Sequence, residues 1–118
     1  MRAILPSRTY LVVVALLLAC TVDKRPEYSI VLLNTGSTDL NNVAVKYGNF
    51  TSLGGVLVPN AESVQGGIRV SVPETLTVVW TTSDGKRHEE RVRVQGQRPF
   101  RKLTVAINGD AATATLNG

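Results

Sequence analysis

The chain has 118 residues, 43% of them hydrophobic, 19% charged and only 5% aromatic, enough for one small domain with an aliphatic core. Thirteen Lys/Arg against nine Asp/Glu give a formal charge of +4, falling to +2 once Arg2 and Arg8 of an expected leader are set aside, too mild a balance to point to nucleic acid as a partner. One cysteine excludes an internal disulfide, and one histidine cannot by itself furnish a zinc site.

Residues 1–20 read MRAILPSRTYLVVVALLLAC. Arg2 and Arg8 make a positive leader, and Leu11–Leu18 is an unbroken apolar run, far short of the ~20 residues that span a bilayer but the right size for the core of a signal peptide. An ordinary signal-peptidase site after Ala19 would place Leu17 where a small residue is wanted. Leu17-Leu18-Ala19-Cys20 resembles instead the lipobox of bacterial lipoproteins. That resemblance implies a lipoprotein signal peptide over 1–19, diacylglyceryl transfer to the Cys20 sulfur, cleavage before Cys20 and further acylation of the new amine. The competing reading is a plain signal peptide, or a short anchor, with an incidental cysteine. Several acyl chains anchor a protein stably where one does not, since each buried CH₂ contributes about 0.8 kcal/mol. In a two-membrane bacterium, Thr21 in place of Asp after the cysteine resembles lipoproteins sent to the outer membrane, where the domain would face the periplasm. Residues 20–27 then form the lipidated Cys and a short tether. Its seven residues after Cys20 reach at most about 25 Å, so a domain over 28–118 stays close to the membrane surface.

Tyr28–Asn34 is apolar on both faces, as an interior strand is. Val43, Val45 and Tyr47 alternate with Ala44 and Lys46, and Gly48-Asn49 suits a two-residue loop into Phe50. Between Gly54 and Gly67 the spacing predicts short strands near Val56–Val58 and Ala61–Gln65. Ile68, Val70 and Val72 predict another strand, ended by Pro73. The clearest element is a long hairpin over Thr75–Val94. A two-residue loop at Asp84-Gly85 would set Val78 against Arg91. A three-residue loop, Ser83-Asp84-Gly85, sets Leu76 against Val92 and Trp80 against His88, and puts Gly85 at a left-handed position. Gln95–Pro99 is expected to be a loop. Leu103, Val105 and Ile107 form a last alternating run, with Gly109-Asp110 as a type II′ turn that places Ile107 opposite Ala112.

Eight or nine short strands without a helix predict an all-β fold, a single antiparallel sandwich. Asn34-x-Gly36-x-x-x-Leu40-x-x-Val43-x-Val45 resembles the first hairpin of bacterial immunoglobulin-like domains. Together with the lipobox, it makes the chain similar to small bacterial lipoproteins that carry one immunoglobulin-like β-sandwich.

Chemistry is sparse. His88 is the one imidazole, and nothing in the sequence places an Asp to orient it. Glu89 and Glu90 are adjacent on a strand and point to opposite faces, so they cannot act as an acid/base pair. No metal-ligand cluster or phosphate-binding glycine loop is present, so no metal site, no cofactor and no enzymatic activity are expected. Seven cations fall within one short stretch: Lys86, Arg87, Arg91, Arg93, Arg98, Arg101 and Lys102. They read either as a face for anionic groups, such as lipid head groups, cell-wall polymer or an acidic partner, or as a solvated sheet face balanced by Glu89. The expected function is a non-enzymatic, membrane-anchored binding or structural module of the cell envelope. Its contacts would be the membrane, through lipidated Cys20, and an envelope protein or cell-wall polymer, with no nucleic acid; the oligomeric state is not legible. The alternative is a periplasmic inhibitor or immunity-type lipoprotein that blocks an enzyme.

Overall fold

Eight strands run through residues 26–118, the part of the chain that the computed structural model describes. They are β1 (Tyr28–Asn34), β2 (Leu40–Tyr47), β3 (Phe50–Leu57), β4 (Glu62–Ile68), β5 (Thr75–Thr82), β6 (Arg87–Gly96), β7 (Lys102–Asn108) and β8 (Ala111–Asn117).

The β5–β6 hairpin has the register that side-chain parity predicts. Leu76 pairs with Val92 and Trp80 with His88, so apolar groups share the inner face. Its tip closes by backbone bonds from Gly85 N to Thr82 O (2.9 Å) and from Thr82 N to Lys86 O (3.0 Å), with Gly85 at φ +84°, a conformation that strains any residue with a Cβ. The β7–β8 hairpin also holds, with Ile107 opposite Ala112 and a positive φ at Gly109, the first central residue.

Order across the sheet is β3-β2-β5-β6-β8-β7-β1-β4. The fold is all-β and nearly barrel-shaped, but it is mixed rather than antiparallel: β1 runs parallel to β7, and Val94–Gly96 of β6 run parallel to β8. Tight turns impose antiparallel pairing only on the strands they join, and neither parallel pair is joined by one. The Asn34–Leu40 segment is likewise no hairpin. It carries the chain from β1, which pairs with β4 and β7, to β2, which pairs with β3 and β5. β6 links the two halves, pairing with β5 over Arg87–Arg93 and with β8 from Val94 onward. The switch falls between Arg93 and Val94, and β6 then comes closest to β8 at Gly96 (φ +106°), where an added Cβ would lie 2.5 Å from the Leu116 carbonyl oxygen.

Two expected strands are drawn differently. Val56–Val58 is no separate strand. β3 passes unbroken from Phe50 to Leu57, its irregular pairing with β2 absorbed at Gly55 (φ +66°). Ile68 closes β4, whereas Val70 and Val72 lie in the following loop, where side chains replace ladder partners. The Tyr28 hydroxyl donates to the Val70 carbonyl and the Arg98 guanidinium to that of Val72. Gln95 and Gly96, expected in a loop, belong to β6.

Inward residues of both halves make one core, in which Trp80, Ile30, Leu32, Leu40, Leu103 and Ile107 are fully buried. Among the described residues this core runs from Tyr28 to Leu116. We call the end where the chain enters, at Tyr28, proximal. It also holds the turn after Tyr47, the 69–74 loop and the start of β7. The distal end holds Asn34–Leu40, the β5–β6 tip and the Gly109 turn.

Candidate functional site

At the distal end the imidazole predicted to meet Trp80 does so. The rings of His88 and Trp80 stack with centroids 5.1 Å apart and planes inclined by 6°. The His88 Nε2 lies 3.3 Å from the Thr82 hydroxyl oxygen, and that hydroxyl donates to Asp84 at 2.5 Å. Imidazole, hydroxyl and carboxylate therefore meet at one hairpin tip, though in an order unsuited to nucleophilic catalysis. A relay needs the imidazole between the other two, so that it takes the hydroxyl proton while the acid orients it. Here the hydroxyl is in the middle and its proton is directed at the carboxylate. The bond from Thr82, then that from the Lys86 backbone N–H, holds the Asp84 carboxyl below its ordinary range. This is the hydrogen bonding of a turn, with one face of the imidazole covered by indole.

Glu89 and Glu90 do point to opposite faces. Glu89 is exposed and meets Arg87 at 3.0 Å, while Glu90 is half-buried opposite Val78, on the stretch of β6 that precedes its pairing with β8. Among the described residues no group of three or more His, Cys, Asp or Glu could hold a metal ion.

The seven clustered cations do not share one face. Lys86 is at the distal tip, and Arg87 is tied to Glu89 on β6. Arg91 and Arg93 follow on the outer side of β6, with Arg91 donating to the Thr75 hydroxyl at 3.2 Å. The Arg98 guanidinium donates to the Val72 carbonyl at 2.6 Å and lies 5.3 Å from the centroid of the Phe100 ring, so it braces the loop before β7. Arg101 precedes and Lys102 opens β7 on the other half of the fold, beside Ser29. The strand order brings two further cations to the proximal end, Lys46 next to the β2–β3 turn and Arg69 after β4. Their distance in sequence from the cluster hid them. The pairing of Lys46 with Thr77, and of Thr77 with Arg91, sets Lys46 and Arg91 in one row across β2, β5 and β6.

A shallow depression lies beside that row, lined by Lys46, Tyr47, Gly48, Pro73, Thr75 and Arg91. Large apolar side chains are exposed on and beside the two outermost strands, with Leu53 at 73% and Val56 at 63% on β3 and Val64 at 58% on β4. Cys20 lies outside the described residues.

The fold is similar to that of a protein from Eubacterium rectale solved by NMR, with a TM-score of 0.59 at 16% sequence identity, covering 83% of this chain and 96% of that one. No protein-family model matches the chain, and no curated protein matches it. The likeness extends to the fold alone.

Proposed function

We propose that this chain is a lipid-anchored lipoprotein of the bacterial cell envelope whose immunoglobulin-like sandwich is a non-enzymatic binding or structural module. Two halves linked by a switching strand support the sandwich reading. The observation that carries the binding role is the exposure of Leu53, Val56 and Val64 on the outermost strands, since unpaired strand edges bearing large apolar side chains are surfaces that recruit a partner. The potentially reactive groups support the same reading, because His88, Thr82 and Asp84 are occupied with one another and with Trp80. The lipobox ending at Cys20 supports the anchor.

The Cys20→Ala variant tests it. In cells it should remain unprocessed or leave the membrane fraction, and it should lose incorporation of a labelled fatty acid. Normal processing together with continued partition into the detergent phase would refute the lipoprotein reading.

A further inference from the structure

Charge is divided between the two ends of the domain. Around the proximal end stand Lys46, Arg69, Arg93, Arg98, Arg101 and Lys102, all exposed, against the carboxylates Glu27 and Glu74. Around the distal loops and strand ends the balance reverses, with Lys86 and Arg87 against Asp39, Glu62, Asp84 and Asp110, and Arg87 paired with Glu89. Neither pattern is local in the chain. The proximal cations come from β2, β6, β7 and the loops after β4 and β6, and the sheet order gathers them onto one rim.

The same rim is where the chain enters. Pro26 and Glu27 lie beside Phe100, Arg101 and Gly118, and six residues of chain from Cys20 to Pro26 reach at most about 20 Å. We propose that the proximal rim docks on the anionic head groups of a phospholipid bilayer and so orients the domain, with its distal loops turned away from the membrane. The inference rests on the lipid-anchored reading above. An anchor holds the rim within reach of the surface whichever way the domain tumbles, and Coulomb attraction then selects one orientation. Each Lys or Arg near an anionic surface adds its own increment of attraction, an effect confined to about a Debye length. A rim with an excess of cations is favoured over an acidic distal end by several such increments, enough to make one pose dominate.

Lysine reactivity tests this without relying on acylation in cells. The chain from Cys20 onward, the mature form on the lipid-anchored reading, can be coupled through its single thiol to a maleimide-bearing lipid. The vesicles are either neutral phosphatidylcholine or phosphatidylcholine with about 30% phosphatidylglycerol. A neutral acylating reagent then reports each lysine by mass spectrometry. On anionic vesicles Lys46 and Lys102 should react at least about threefold more slowly than on neutral ones, with Lys86 unchanged. The contrast should vanish in about 1 M salt, where the Debye length falls to about 3 Å, and in the Arg93→Glu/Arg101→Glu variant, whose altered residues are both exposed. Equal slowing of Lys46, Lys86 and Lys102, or none at any of these, would overturn the proposal. Whether cells acylate Cys20 is decided separately by the Cys20→Ala experiment, so failure of the anchor and failure of the docking rim are distinguishable.

Discussion

The two ends of the domain are closed by different chemistry. At the distal end the closing groups are an amide and an indole. Asn34 is fully buried; its Nδ2 donates to the carbonyls of Thr38 and Leu57, both at 2.8 Å, and its Oδ1 accepts from Gly36 N at 2.9 Å. The Trp80 Nε1 donates to the Gly109 carbonyl at 2.7 Å and so ties the β7–β8 turn to β5. At the proximal end the closing groups are phenols. Tyr28 donates to the Val70 carbonyl, and Tyr47, at 2.5 Å, donates to the Tyr28 oxygen, joining β1 to β2 across the interior. Burial raises both phenol pKa values, most for Tyr47, which is the donor to Tyr28. The distal closure has no titratable member, whereas the proximal closure depends on two protons. Closing the proximal end with buried neutral groups also leaves its outer rim to the cations.

The most severe way to open the distal end is Trp80→Ala. It removes a fully buried ring and the bond to Gly109, and a loss of about 3–5 kcal/mol is expected on denaturant unfolding. A loss below about 1 kcal/mol would mean that neighbouring side chains fill the space.

Asn34→Ala should cost less, about 2–3 kcal/mol, because it leaves the buried Leu57 carbonyl and the part-buried Thr38 carbonyl without their donor. Amide hydrogen exchange should rise first at the Asn34–Leu40 segment and at the β3–β4 turn, with the proximal end unchanged. Uniform loss of protection would contradict independent closure of the two ends.

Tyr47→Phe is the mildest, at about 1 kcal/mol near neutral pH, and it sharpens the contrast through pH. Both phenols have raised pKa values in the folded state, so their contribution is fully present below the unfolded value of about 10 and is lost as pH rises above it. The wild-type protein should therefore lose stability steadily above about pH 10, and the variant less steeply. Asn34→Ala should keep the wild-type slope. Parallel slopes for wild type and Tyr47→Phe would show that the alkaline transition arises elsewhere.

Within the candidate sites, legibility followed distance along the chain. The stacking of His88 on Trp80 was readable because one turn of known parity joins them. The Thr82–Asp84 bond beside His88 spans only two residues, yet strand alternation and turn parity place neither the Thr82 hydroxyl nor the Asp84 carboxylate at the imidazole. By contrast Asn34 looked like an ordinary turn residue, and nothing local marks a polar side chain that the fold buries among carbonyls 4 and 23 residues away. The seven-cation stretch looked like one face because it is continuous in sequence. The strands distribute it instead, since Arg87 and Arg98 are engaged with Glu89 and Val72, and Lys102 opens a strand of the other half.

What the sequence by itself determined is local: the period-two strands, the Ser83–Gly85 loop with its register, the Gly109 turn and the inward set that includes Leu76, Trp80, Ile107 and Ala112. Each follows from alternation and turn geometry, which act over a few residues. Only the tertiary structure decided which strands lie side by side where no tight turn joins them. The parallel pairing of β1 with β7, the switch of β6 after Arg93 and the rim that unites Lys46, Arg69 and Lys102 depend on how two apolar faces meet across the core. Burial of apolar surface is non-directional. It requires that those faces meet but not in what order, and the order is left to long-range packing such as the Tyr28–Tyr47 bond and the Trp80–Gly109 tie.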